Sequence, residues 1–307
     1  MNALKKYDVV IVGGGPAGLS AGIYTARARL SGLLIERGAV GGQIVNTEWV
    51  ENYPGFAESI SGLALTEAMN KQATRFGLET LLAEVTALKV NGGRKVVRTS
   101  AGDFAAGAVI IAGGSDRQKL GVPGEVEFTG KGVSYCATCD GPFFRDKAVA
   151  VVGGGNAAIT EAIELTRFAA KITVIHRRDQ LRATRIVQEK AFAEKKISFL
   201  WDNVVEAITG ENFVNQVKVR NVKTKKASVL NVDGVFVNVG SRPLTDYLKG
   251  VLELDAAGAV VVNGKMEASV PGVFAAGDIR SGSIRQVVAA AGDGAVAAVN
   301  AGKYLGE

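Results

Sequence analysis

A three-glycine pattern occurs twice in this chain, and its copies stand 140 positions apart. The first copy is Gly13-Gly14-Gly15-Pro16-Ala17-Gly18. It follows the β-branched run Asp8–Val12 and precedes an Ala-rich, helix-compatible stretch, Leu19–Leu30. The apolar run Ser31–Glu36 then completes a strand–turn–helix–strand unit. The second copy is Gly153-Gly154-Gly155-Asn156-Ala157-Ala158. It lies between the apolar run Ala148–Val152 and a helix pattern over Ile159–Ala170, with a strand pattern at Ile172–His176 behind it. This context predicts a dinucleotide-binding turn. The first glycine permits the turn, the second lets a pyrophosphate approach the helix N-terminus, and the third position lets helix and strand pack closely. A period of 140 is far too long for a solenoid, so a nucleotide-binding unit is duplicated.

The remaining patterns fit between and behind the two units. A hairpin is expected over Glu84–Thr99 around Asn91-Gly92-Gly93, and a second over Val217–Val222 and Ser228–Val232. Buried strands are expected at Gly107–Gly113 and Gly234–Gly240, each ending in glycine. The last segment reads strand, Gly-Asp turn and helix over Val273–Asp278 and Ile284–Tyr304. Two glycine units do not easily share one sheet. The expected fold is α/β, with two doubly wound, Rossmann-like dinucleotide-binding domains, the second inserted in the first. Crossovers near Ser115 and Arg242-Pro243 divide the chain into residues 1–114 and 243–307 for the first domain and 115–242 for the second.

The two units differ where a ribose is read. Glu36 ends the second strand of unit one, where a carboxylate can accept both ribose hydroxyl protons. At the same spacing of 23 positions, unit two carries His176, followed by Arg177, Arg178 and Arg182. A carboxylate there would repel a 2′-phosphate, and a cationic cluster would bind it. Unit one therefore suits an adenosine ribose with free hydroxyls, and unit two suits NADP.

Only two cysteines occur, Cys136 and Cys139, as Cys136-Ala137-Thr138-Cys139. That excludes a secreted disulfide scaffold. A structural zinc site needs four ligands, and the single histidine is already placed at the ribose strand, so no metal is expected. What remains is a dithiol/disulfide pair that carries two electrons. Asp140 follows directly and is the best acid/base available, its plain alternative being a helix N-cap. FAD in unit one, NADPH in unit two and the disulfide between them would make one continuous path for a hydride's electron pair.

Composition narrows the class further. Apolar residues make up 47% and charged residues 21%, which excludes wholesale disorder. The 39 glycines are clustered, as tight turns near a ligand require. A net charge of +6 is too diffuse to argue for nucleic acid, since no dense Lys/Arg run with interleaved aromatics occurs. Met1–Tyr7 is polar, without signal-peptide character, and no apolar stretch reaches membrane-helix length. A soluble, cytoplasmic protein is expected, with no membrane or nucleic-acid partner.

These motifs together resemble the low-molecular-weight thioredoxin reductases from end to end. The resemblance runs through Gly13–Arg27, Gly41-Gly42-Gln43, Val50–Gly55, Ser134–Gly141, His176–Ala183, Phe274–Asp278 and Ala289–Ala298. The C-A-T-C and H-R-R-D motifs discriminate best, because the glycine turns occur in many flavoproteins. The resemblance implies FAD contacts at Gly13, Gly15, Pro16, Ala17, Gly18, Glu36, Arg37, Gly41, Gly42, Gln43, Asn46, Asn52, Gly113, Gly277, Asp278, Arg285, Gln286 and Val287. It implies NADPH contacts at Gly153, Gly155, Asn156, Ala157, Ala158, His176, Arg177, Arg178, Arg182 and Gly240. It also implies that Cys139 faces the flavin, Cys136 attacks the disulfide of thioredoxin, Asp140 relays the proton, and the chain works as a homodimer. Ala157 stands where the family usually has Ser, and Ala289 where Thr is frequent. The alternative on the same scaffold is a flavin-dependent dithiol oxidase, or a reductase of another small disulfide substrate.

Overall fold

The computed structural model describes residues 4–47 and 49–307. The described residues form two compact units, one of residues up to 116 together with 242–307, and the other of residues 117–241. The expected crossovers lay at 114/115 and 242/243.

The first unit opens with β1 (Lys5–Val12), α1 (Pro16–Arg27) and β2 (Gly32–Glu36). Next come α2 (Gly62–Arg75), β3 (Glu79–Leu82), β4 (Val85–Asn91), β5 (Arg94–Thr99) and β6 (Gly102–Ile111). The first crossover runs through β7 (Ser115–Arg117).

The inserted unit contains β8 (Val133–Ser134), the single turn α3 (Ala137–Asp140), β9 (Ala148–Val152), α4 (Asn156–Leu165), β10 (Lys171–His176), α5 (Arg185–Ala193) and β11 (Ile197–Trp201). Then follow β12 (Asn203–Gly210), β13 (Val214–Asn221), β14 (Ala227–Asn231) and β15 (Gly234–Val237). The chain returns through β16 (Ser241–Pro243) and ends with β17 (Val273–Ala275) and α6 (Val287–Leu305).

In the first unit the sheet order is β3-β2-β1-β6-β5-β4, with β17 also on β6. β6 serves two neighbours on one edge, antiparallel β5 through residues 102–106 and parallel β17 through residues 109–111. In the second unit β11-β10-β9-β15-β8 are all parallel. The parallel part of the first sheet, β3-β2-β1-β6 with β17, and the whole second sheet have the crossover wiring expected of Rossmann-type α/β units, while β4 and β5 add an antiparallel hairpin to the first.

Strand alternation explains the layers. Val9 and Ile11 of β1 face the helical side with Leu19, Leu65 and Ala297, whereas Val10 and Val12 face Leu88, Val97, Leu248 and Val260. In β9, Val149 and Val151 face α4, and Ala150 and Val152 face Val205, Val217 and Val219. Each side chain of this size contributes about 1.5–3 kcal/mol when fully buried. Each sheet is thus helical on one face, while strands and extended segments close the other. In the second unit the antiparallel β12-β13-β14 sheet does so.

Both fingerprint helices begin and end earlier than expected. The loop residues Pro16 and Asn156 already belong to the first turn, and Pro suits that position because its missing N–H has no partner there anyway. α1 ends at Arg27, before Arg29 at φ 60°. α4 ends at Leu165 instead of Ala170. No helix among the described residues is long and apolar enough to cross a membrane.

Candidate active site

In the first unit the glycine turn is held by backbone geometry. Gly13 has φ +108°, a conformation side chains rarely adopt, and a Cβ there would strike Ala112 and Gly113. A Cβ at Gly18 would collide with the Gly13 carbonyl, so the third glycine lets α1 start against the loop. Glu36 accepts from the Gly14 N–H at 2.7 Å and the Gly38 N–H at 2.9 Å, which fixes its carboxylate at the end of β2. The Gly41 N–H donates to the Gly14 carbonyl at 2.8 Å, and Gly42 lies on Gly15. Arg37 lies 4.0 Å from Asp116, and the Gln43 amide donates to the Ser115 carbonyl. Asn46 ends the short turn Gly42–Asn46 and is exposed. Gly113 directly follows β6 and packs near Ile279.

The C-terminal segment closes on the same loop. Gly277 sits at φ +79°, where a Cβ would press on Ala17. Its N–H donates to Asp293 of α6 at 3.1 Å. Asp278 accepts from the Ser283 hydroxyl at 3.3 Å, and burial raises its carboxyl above the ordinary range. Asn52 donates to Gln286 at 2.8 Å, across 234 positions of chain. Arg285 is exposed at φ 57°, and Val287 opens α6 behind Gln286. The residues expected around one cofactor therefore converge in one unit.

In the second unit Gly153 repeats the strained turn at φ +145°, and Ala158 fills the third position, 2.7 Å from where a Gly153 Cβ would stand. No atom lies within 4 Å of a Cβ at Gly155, so the second glycine leaves open space at the start of α4. Asn156 opens that helix, its side-chain oxygen accepting from the Thr184 N–H at 2.7 Å, and Ala157 follows it. The Arg182 N–H donates to the Gly154 carbonyl at 2.7 Å, which brings the arginine loop over the glycine loop. Arg177, Arg178 and Arg182 are exposed and line a pocket with Asp179, Asp202 and Lys223. His176 does not join them. It is 4% exposed, its ring fills the space beside Gly154, and its Nε2–H donates to the Gln180 carbonyl at 3.1 Å. Desolvation, and then the three arginine charges, hold its imidazole below the usual range, so it stays neutral. Gly240 lies three residues past β15 at φ +133°, its carbonyl accepting from the Gln118 N–H.

Cys136 and Cys139 are disulfide-bonded, with Cα atoms 5.4 Å apart. Cys136 caps α3, its Sγ accepting from the Cys139 N–H at 3.2 Å. Buried Ser134 accepts from the Cys136 N–H at 3.0 Å and fixes the entry to the turn. Cys139 is exposed, and Cys136 and Asp140 are half-buried. Asp140 closes α3 and stands at the N-cap position of the following 3-10 turn, Gly141–Phe144, where its side chain makes no capping hydrogen bond.

Comparison with known proteins agrees with this geometry. The family model for pyridine nucleotide-disulphide oxidoreductases matches residues 7–294. A thioredoxin reductase of Bacillus subtilis is 47% identical over 100% of this chain and 97% of its own. The crystal structure of Lactococcus lactis thioredoxin reductase superposes with a TM-score of 0.95 at 43% identity, covering 97% of this chain and 99% of that one. The thioredoxin reductase of T. acidophilum follows at 0.92 and 35%, covering 98% and 99%. This chain belongs to the pyridine nucleotide-disulphide oxidoreductases, in their low-molecular-weight thioredoxin reductase branch. Members of this family are oxidoreductases that join a flavin, a pyridine nucleotide and a disulfide, and all three have fitting residues here.

Some polar groups of this family member escape a motif reading. Arg280 forms a buried ion pair with Asp293, at 2.6 and 2.9 Å, which ties the Gly277–Ile279 turn to α6. Lys223, from the turn after β13, bridges Asp179 and Asp202 at 3.0 Å each beside the arginine pocket. Glu161 of α4 is buried against Arg117 and Asn238. For Asp293 and Glu161 the only trace in the sequence is a charge inside an apolar helix, as in A-G-D-G-A or I-T-E-A-I, and periodicity does not name its partner.

Proposed function

We propose that this chain is an NADPH-dependent thioredoxin reductase that binds FAD in the first unit and NADPH in the second. The observation that carries the reading is the Cys136–Cys139 disulfide, set in the same unit as a glycine loop flanked by three exposed arginines. When bound, the flavin supplies a two-electron relay between nicotinamide and disulfide. The chain's own residues do the rest.

The open space at Gly155 and the fixed carboxylate of Glu36 are what a pyrophosphate and a ribose diol require. Arg177, Arg178 and Arg182 give a 2′-phosphate charge-assisted donors, and neutral His176 supports the loop above it. Reduction adds two electrons and two protons to the disulfide. The Cys136 thiolate then attacks the partner's disulfide, forming a mixed disulfide and releasing one partner sulfur, to which Asp140 delivers a proton. Cys139 attacks Cys136 Sγ, restores the intramolecular disulfide and releases the second sulfur. Thioredoxin is the protein substrate, and the enzyme works as a homodimer in the cytoplasm. A flavin-dependent dithiol oxidase would need no NADPH, and the arginine pocket argues against it.

The test is anaerobic. NADPH added to the yellow, FAD-loaded protein should bleach it, and oxidised thioredoxin should restore the colour. A protein that FAD does not reconstitute, or turnover that survives alkylation of both cysteines, would overturn the reading.

A further inference from the structure

The two nucleotide units place a carboxylate on different strands. In the first unit Glu36 ends β2 in register with Leu82, and Ala83 follows on the neighbouring strand. In the second unit the end of β10 is His176, in register with Trp201, and Asp202 follows on the neighbouring strand. The acid is thus shifted by one strand, into the wall of the arginine pocket. Backbone bonds hold it there. Asp202 stands at φ 57°, its N–H donates to the Arg178 carbonyl at 3.3 Å, and its carbonyl accepts from the Val222 N–H at 2.6 Å.

A carboxylate beside an adenosine ribose accepts from a free 2′-hydroxyl and repels a 2′-phosphate. Asp202 and Asp179 would therefore work against the three arginines, but Lys223 meets both. Its Nζ donates to Asp179 Oδ2 at 3.0 Å and lies 3.0 Å from Asp202 Oδ2. The turn after β13 is shaped to deliver it. The Asn221 side chain accepts from the Lys223 N–H at 3.0 Å and from the Thr224 N–H at 2.9 Å. Lys225, at φ 62°, turns its ammonium back to the Val222 carbonyl at 2.8 Å, whereas Lys223 lines the pocket. The side chain of Asp202 is 17% exposed against 65% for Asp179, so Asp202 carries more of the electrostatic effect.

The charges agree with this division of labour. Arg177, Arg178, Arg182 and Lys223 share the pocket with Asp179 and Asp202, an excess of two positive charges. A phosphate monoester carries about −1.5 to −2 near pH 7. Without Lys223 the excess is halved and both carboxylates lie open in the pocket.

We propose that Lys223 is a specificity-determining residue of the nucleotide site: by occupying Asp179 and Asp202 it keeps both carboxylates from a free 2′-hydroxyl and so favours a nucleotide that bears a 2′-phosphate. This rests on the second unit being the NADPH site. The arginines supply the attraction, and Lys223 masks the groups that would select the other nucleotide.

Because Lys223 acts through the aspartates, the deciding measurement is a rescue. Calorimetry on full-length, FAD-loaded protein compares adenosine 2′,5′-bisphosphate with adenosine 5′-monophosphate at low ionic strength, where exposed charges are least screened. Neither ligand carries a nicotinamide, so binding is read apart from turnover. The parent protein should prefer the bisphosphate. Lys223→Met should weaken the bisphosphate roughly threefold to tenfold and leave the monophosphate unchanged or tighter. Adding Asp179→Asn and Asp202→Asn to Lys223→Met should restore most of the lost affinity. Asp202→Asn alone should tighten the bisphosphate, and if Lys223→Met does not fold, the absence of that gain overturns the proposal. An unchanged preference in Lys223→Met, or a loss that persists in the triple variant, would overturn it as well. A parent protein that binds both adenosine phosphates equally would instead overturn the NADP assignment beneath it.

Discussion

Arg177 and Arg178 are exposed and line the pocket of the second unit. Their replacement should therefore touch binding and not folding. Because both are exposed, the two together contribute about 1.5–3 kcal/mol of charge-assisted hydrogen bonding. Arg177→Ala with Arg178→Ala should raise KM for NADPH roughly 10- to 100-fold and leave NADH nearly unchanged. Steady-state kinetics with both nucleotides checks this, and equal effects would refute the 2′-phosphate assignment. Cys139→Ser should leave bleaching of the flavin by NADPH intact and abolish thioredoxin turnover, as stopped-flow absorbance and a coupled assay would show. Glu161 makes a separate prediction about stability. Its folded value of about 7 stands above its ordinary 4.5, so the native state holds the proton more tightly than the unfolded chain. Its contribution is fully present below pH 4.5 and lost as pH rises through 7, on the order of 3 kcal/mol. Urea titrations across that range should show this slope in the parent protein and its absence in Glu161→Gln.

The seam between α1 and α6 depends on small residues. A side chain at Gly294 would collide with the Ala17 carbonyl, and Ala297, Ala298 and Ala301 continue the close contact. The fingerprint loop is thus held from behind by a helix more than 260 positions away in the chain. Arg280 and Asp293 pin the same region, with side chains 17% and 10% exposed. Asp293→Ala would leave a buried guanidinium without its partner and free the Gly277 N–H. A loss of about 3–5 kcal/mol is expected, read from denaturant unfolding, together with earlier release of FAD. Asp293→Asn keeps an acceptor for Gly277 and should lose less. The ends of the fingerprint helices belong to this scale too. They moved toward the N-terminus because the loop residues already obey helical geometry.

Each unit has its own cores, and the first is interrupted by the second. β17 and α6 complete the first unit only after residue 241. Residues 117–241 alone should therefore fold into a protease-resistant unit with mixed α/β circular dichroism. Residues 1–241 should retain that unit but leave the first one open and unable to hold FAD. Limited proteolysis and flavin absorbance of the two fragments would show it. Val288, Val296 and Val299 lie along one exposed face of α6, which the proposed homodimer would cover. Sedimentation should give twice the 31.9 kDa chain mass, and Val296→Lys with Val299→Lys should shift it toward the single chain.

Short-range constraints were legible in the residues alone. Gly13 and Gly153 had to be glycine because their backbones adopt a conformation that a Cβ opposes. The equal spacing to Glu36 and His176 exposed the duplication, and C-x-x-C with no other cysteine left a redox pair. Such features depend on neighbours within a turn or two, so a string of letters preserves them. Folding alone revealed that His176 lies buried and neutral beneath Gly154 instead of among the arginines. It likewise paired Arg280 with Asp293, closed both sheets with strands opposite their helices, and set Glu161 against Arg117 and Asn238. The reason is desolvation. What a buried charge meets, and hence whether it stays charged, is set by atoms distant in sequence that only packing brings within hydrogen-bond range.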